Sequence, residues 1–102
     1  MTSEQTIQKS MLDFLFSIGA EPYNIVAASK SGVSDILCCL PNGRFLAVEV
    51  KKVGGITSAL QRYRIKKVIR CGGLGIITNN LDELKEYLIK SKIKLDNKLN
   101  NN

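Results

Sequence analysis

Histidine is absent from the 102-residue chain, and cysteine occurs only three times. A zinc site built from imidazole and thiolate is therefore not expected, and any hydrolytic chemistry must proceed without an imidazole base. An odd number of cysteines argues against a disulfide framework. Cys38, Cys39 and Cys71 read instead as reduced thiols of an intracellular, cytoplasmic protein. Cys38 and Cys39 are neighbours in a predicted strand and point to opposite faces, while Cys71 closes a predicted helix. No apolar run approaches the length of about 20 residues that a membrane span needs. No signal-peptide pattern opens the chain, and no internal repeat is visible. Acidic residues are few, nine against fifteen Lys and Arg, which gives a net charge of +6 and a pI near 9.4. That balance favours an anionic partner, nucleic acid first. The 44% hydrophobic and 24% charged shares are those of a soluble globular protein. The length suits one domain with one modest core.

Residues 32–51, GVSDILCCLPNGRFLAVEVK, organise the rest. Two apolar runs, Ile36 to Leu40 and Phe45 to Val50, flank Pro41-Asn42-Gly43. That is a hairpin pattern, with Gly43 suited to the left-handed position of a three-residue loop. Folding the chain about Asn42 sets Leu40 opposite Arg44 and Asp35 opposite Glu49. Alternation along the strand puts Phe45, Ala47, Glu49 and Lys51 on one face and Leu46, Val48 and Val50 on the other. Two carboxylates about 5 Å apart at Cβ repel each other. A hard divalent cation, Mg²⁺ or Mn²⁺, would remove that repulsion. The Lys51 ammonium, about 7 Å beyond Glu49 on the same face, can hold a hydroxide or offset charge on phosphorus. Taken alone, such a Glu-x-Lys segment is more often a solvated strand face.

The remaining elements follow from periodicity and punctuation. Ile7, Met11, Phe14, Leu15 and Ile18 make residues 3–18 an amphipathic helix, with Thr2 and Gln5 as a capping box. Glu4 shares its inward stripe. It is either a partner for the helix dipole or a group pointing into the site. Glu21, read as lying in a turn with Pro22, is the alternative acid. Tyr23 to Ala28 reads as a first strand. Lys30-Ser31-Gly32 is a basic approach to Asp35, with Gly32 free to take a positive φ. A helix from Thr57 to Arg70, capped by Thr57 or Ser58 and stopped by Gly72-Gly73, carries Gln61 on its inward stripe. Arg62, Lys66 and Arg70, joined by Arg64 and Lys67, form a basic stripe that is either a solvated face or a contact for the DNA backbone. Lys52 extends the basic character beside Lys51. Tyr63 can stack on a base or simply pack. Leu74 to Thr78 is a buried strand. Cys71-Gly72-Gly73-Leu74-Gly75 follows a helix and precedes a strand, the reverse of a dinucleotide-binding turn. Asn80 caps a last helix, with Glu83 completing its box. Residues 1–90 form the domain. Residues 91–102 hold too little apolar surface to pack and read as a polar tail.

Gly32-Val33-Ser34-Asp35, Val48-Glu49-Val50-Lys51 and the downstream Gln61 together resemble the virus-type replication-repair nuclease (VRR-NUC) domain of the PD-(D/E)xK, restriction-endonuclease-like superfamily. The likeness runs from about Glu4 to Leu88, and Ser34 departs from the proline of the superfamily name. It implies an α/β fold in αβββαβα order, a central mixed sheet flanked by helices. It implies Mg²⁺- or Mn²⁺-dependent hydrolysis of DNA phosphodiester bonds to 5′-phosphate and 3′-hydroxyl. Asp35, Glu49, Lys51 and Gln61 would be catalytic. The metal would sit on Asp35, Glu49, the Val50 carbonyl and Glu4, the acid matching the family's first-helix position. Lys30, Lys52, Arg62, Lys66 and Arg70 would meet the DNA. Small members of the family resemble Holliday-junction resolvases. The resemblance thus suggests a homodimer acting on four-way DNA in a bacterial or virus-infected cell. A flap or other branched-DNA endonuclease, or a non-catalytic DNA-binding module, are the alternatives.

Overall fold

In a computed structural model of the chain, residues 3–52 and 54–95 are described. The elements are α1 (Ser3–Ser17), β1 (Glu21–Asn24), β2 (Ile36–Cys39), β3 (Phe45–Val50), α2 (Ala59–Arg70), β4 (Leu74–Thr78) and α3 (Leu81–Lys90). The four strands form one sheet in the order β1-β2-β3-β4. The first three pair antiparallel, and β4 runs parallel to β3. Parallel neighbours need a crossover, and α2 supplies it. The expected αβββαβα order and mixed sheet are therefore present.

The hairpin takes the register drawn from its turn. Ile36 faces Val48, Leu37 faces Ala47, Cys38 faces Leu46 and Cys39 faces Phe45. Leu40 N–H donates to the Arg44 carbonyl at 2.9 Å, and Gly43 N–H to the Leu40 carbonyl at 2.7 Å. Asn42 Oδ1 accepts from Arg44 N–H at 3.0 Å. Gly43 has φ 84°, the left-handed residue of the loop.

Strand β3 lies between two partners and is buried from Leu46 to Val50. Leu46, Val48 and Val50 join Met11 and Leu15 of α1 and Leu84 and Leu88 of α3 in the main core. Each such side chain stabilises the fold by about 1.5–3 kcal/mol when fully buried. On the opposite face, the contact beneath α2 is built from small residues. Ala47 pairs with Gly75, and a Cβ on Gly75 would stand 3.1 Å from Ile65 Cγ2 and 3.2 Å from the Ile65 carbonyl. Helix α2 can therefore lie close on the sheet, over the face that carries Glu49.

Four expectations are corrected. The first strand is Glu21–Asn24, not Tyr23 to Ala28. Pro22 does not stop it, because β1 is an edge strand where a missing N–H is tolerated. Glu21 consequently sits in the strand opposite Cys39, at the end remote from Asp35. At α3, Asn80 Oδ1 accepts from Glu83 N–H at 2.7 Å as expected. The Glu83 carboxylate, however, takes the Thr78 hydroxyl instead of closing the box. Finally, the segment after α3 packs at its start: Ile93 is buried in the main core, with Leu95 against it. The Thr2 half of the α1 capping box and the tail from residue 96 lie outside the described residues.

Candidate active site

The site forms where β2 begins and β3 ends. Continuing the hairpin register sets Asp35 beside Glu49, and the side chains confirm the meeting. Asp35 Oδ2 accepts from Val50 N–H at 2.9 Å, so the carboxylate is fixed on the backbone of the very strand that carries Glu49. Glu49 is only 4% exposed. Its Oε2 accepts from Gln61 Nε2 at 2.7 Å. Its Oε1 is buried and has no hydrogen-bond partner. Burial first, and then the charge of Asp35 beside it, push the Glu49 carboxyl up to about 7; Glu4 adds to the push. A buried acceptor left unsatisfied costs on the order of 1–3 kcal/mol, so this fold maintains an unfavourable group in the middle of its sheet.

Gln61 does two jobs. Ser58 N–H donates to its Oε1 at 2.8 Å, and its own N–H donates to Ser58 Oγ at 3.1 Å, a reciprocal capping box that starts α2. The same side chain then reaches back to Glu49. The Ser-x-x-Gln spacing was visible in the sequence, but its coupling to the carboxylate pair needed the crossover to be placed. The Gln61 amide is thereby engaged at both ends. Its carbonyl is engaged by the helix cap, and its contact within the site is Glu49.

Glu4, Glu49, Val50, Lys51, Lys52, Gly55, Ile56, Thr57 and Gln61 line one open cleft of about 300 Å³. Lys51 N–H donates to the Thr78 carbonyl at 2.9 Å, which holds the end of β3 against β4. Between Glu4 and Glu21, the structure brings only Glu4 to the cleft. Among the described residues, no three His, Cys, Asp or Glu side chains gather closely enough to hold one metal ion. Glu4 acts on Glu49 through its charge.

No protein-family model matches the chain. A protein described as "Putative nuclease p44", of Acyrthosiphon pisum secondary endosymbiont phage 1, is 29% identical over 79 residues, covering 78% of this chain and 85% of that one. Among solved structures, one described as a VRR_NUC domain matches with a TM-score of 0.74 over 88% of this chain and 97% of its own, at 22% identity. The chain has the VRR-NUC fold.

On this VRR-NUC fold the expected basic residues divide. Lys66, Lys67 and Arg70 are exposed on α2. Among the described residues the ion pairs are Lys9–Asp13 and Lys90–Glu86, and neither involves α2. Arg62 is also exposed, but its Nη1 donates to the Thr57 carbonyl. Arg64, read as part of the stripe, instead clamps the loop before Asp35 by donating from Nε to the Ser31 carbonyl at 3.1 Å. The rings and cations of Tyr63, Arg64 and Arg70 stack, each guanidinium carbon 5.7 Å from the Tyr63 centroid. Lys30 is exposed in the loop beside Gly32 and is not among the cleft-lining residues. Sequence reasoning missed Ile56 and Thr57, which line the cleft from the segment between β3 and α2.

Proposed function

We propose that the protein is a metal-dependent DNA endonuclease that hydrolyses phosphodiester bonds. The observation that carries this reading is the pairing of half-buried Asp35 with buried Glu49, which has an unpartnered oxygen and lines a cleft with Lys51. Such a pair is costly unless a cation joins it, and oxygen donors suit a hard divalent ion. Asp35, Glu49 and the Val50 carbonyl would hold Mg²⁺ or Mn²⁺, with Glu4 adding negative charge. Bound there, the ion would acidify a water and neutralise charge on a phosphoryl oxygen. The named relative and the VRR-NUC fold support the same reading.

The chain's own residues supply orientation. Asp35 is aimed in advance by Val50 N–H, and Glu49 by Gln61, so neither must reorganise when a phosphate arrives. The Lys51 ammonium holds the attacking water by hydrogen bond and offsets charge that builds on phosphorus. Cleavage leaves 5′-phosphate and 3′-hydroxyl ends. The basic outer face of α2 receives the DNA backbone. The substrate is branched DNA, a four-way junction, cut by a homodimer, because a two-fold pair of sites matches a symmetric substrate.

The test compares labelled duplex, flap and four-way DNA with Mg²⁺, using the wild-type protein and Lys51→Ala. The expected outcome is cutting of the four-way DNA, with at least about a hundredfold slower cutting by the variant and binding retained. Wild-type protein that binds but cuts none of the three would overturn the nuclease reading. A solution mass on junction DNA corresponding to a single 11.3 kDa chain would remove the dimer.

A further inference from the structure

The segment between β3 and α2 carries an aliphatic side chain where solvation would favour a polar one. Ile56 is 94% exposed, yet it lines the same cleft as Glu49, Lys51 and Gln61. Its position is held from both sides. Before it, Gly55 N–H donates to the Lys52 carbonyl at 2.8 Å, and Gly54 has φ 74°. The turn is tight: a Cβ on Gly55 would stand 2.9 Å from Lys52 Cβ. After it, Thr57 is hooked by Arg62 through both its carbonyl and its hydroxyl, and Ser58 begins the capping box. A braced turn thus presents an apolar tip at the rim of a polar cleft lined by two acids and two lysines.

Isolated exposed aliphatics are common and need no explanation. This one differs by its place beside the phosphate-handling groups. An apolar side chain there has no favourable contact with a phosphate, a sugar hydroxyl or a metal-bound water. It has one with the face of a base, and aliphatic wedges that enter the stack unstack a step and kink the strand. We propose that Ile56 enters the base stack of a DNA strand next to the scissile phosphate, so that the site prefers strands whose bases are unpaired or easily unstacked at that step. This rests on the nuclease reading for the position of the phosphate. The preference for loosened DNA then arises from an energetic term: a paired, stacked step must be opened before Ile56 can seat, whereas a branch point or single strand is already open.

The experiment uses the full chain with Mg²⁺ and DNA of nuclease-resistant backbone bearing 2-aminopurine at the base beside the cutting step. Wild-type protein raises the fluorescence about threefold on binding, as the base leaves the stack. Ile56→Ser abolishes the rise while affinity changes less than about threefold, and Ile56→Leu keeps it. On cleavable DNA, Ile56→Ser narrows the difference in cutting rate between single-stranded and paired DNA about tenfold, consistent with a step costing a few kcal/mol to open. Ile89→Ser, at a 59% exposed position on α3, changes neither reading. Melting temperature is unaltered in both serine variants, since neither side chain is packed. An unchanged fluorescence rise in Ile56→Ser, or an equal loss on paired and unpaired DNA, overturns the proposal. If the protein binds and unstacks the DNA but cuts nothing, the wedge stands and the hydrolytic reading falls. If it binds no DNA, both fall.

Discussion

Replacing Glu49 by Gln isolates the electrostatic strain at the site. The folded protein holds this carboxyl at about 7 against an ordinary 4.5, chiefly through burial and secondly through Asp35. A folded-state pKa above the unfolded one means that the native state binds the proton more tightly. The associated stability is fully present below about pH 4.5 and is lost as pH rises through about 7. At about 1.4 kcal/mol per pH unit, the gap amounts to about 3 kcal/mol. Gln has the same shape and no charge. Its amide can donate towards Asp35 while its oxygen keeps the hydrogen bond from Gln61. In EDTA, thermal melts of wild type and Glu49→Gln should therefore coincide near pH 4.5 and diverge above it. At pH 8 the variant should melt on the order of 10 °C higher, since about 1 kcal/mol moves a domain of this size by about 4–8 °C. Taking the difference between the two proteins cancels the other carboxylates. Adding Mg²⁺ at a hundred times its dissociation constant should then stabilise wild type by about 2.7 kcal/mol and the variant hardly at all. The gain in stability should come with loss of cutting. A difference that does not vary with pH, or a variant less stable at pH 8, would refute the assignment of a strained, charged Glu49.

Two further outcomes are expected. Gly32→Ala should destabilise the fold by more than about 1 kcal/mol, because Gly32 has φ 76° and its new Cβ would stand 2.6 Å from Leu60 Cγ; chemical denaturation measures it, and Leu60→Ala should recover only the steric part. Lys66→Ala should weaken DNA binding about equally across sequences and reduce the salt slope of log K by about 1, read by titration at several salt concentrations; an unchanged slope removes Lys66 from the interface.

Much of this architecture was legible because local patterns and long-range pairing agree. The Pro-Asn-Gly turn sets the β2–β3 register, and that register alone brings Asp35 to Glu49. The strand–helix–strand pattern after Lys51 requires a crossover, which puts Gln61 above β3. Other features were hidden for physical reasons. Pro22 looks like a strand stop, but it is harmless on an edge. Ile93 looks isolated in a polar run, and only the assembled core gives it a place to be buried. Arg62 and Arg64 cannot be told from Lys66 and Lys67 by spacing, because their partners, Thr57 and Ser31, are backbone carbonyls that a sequence does not display.

That division among the basic residues sharpens what the net charge of +6 means. Helix α2 carries five cations and no acid, but two of the five hold loops that shape the site. Lys66, Lys67 and Arg70 remain towards its far end. The helix starts at the cleft with Gln61 and spans 12 residues, about 18 Å at 1.5 Å per residue. A DNA backbone following it from the cleft would therefore be held over about five base pairs at about 3.4 Å each. So short a track would give modest, salt-sensitive affinity and little sequence reading. On the proposed nuclease reading, discrimination would then come from the shape and looseness of the DNA at the cleft, where a braced apolar tip lies beside Glu49.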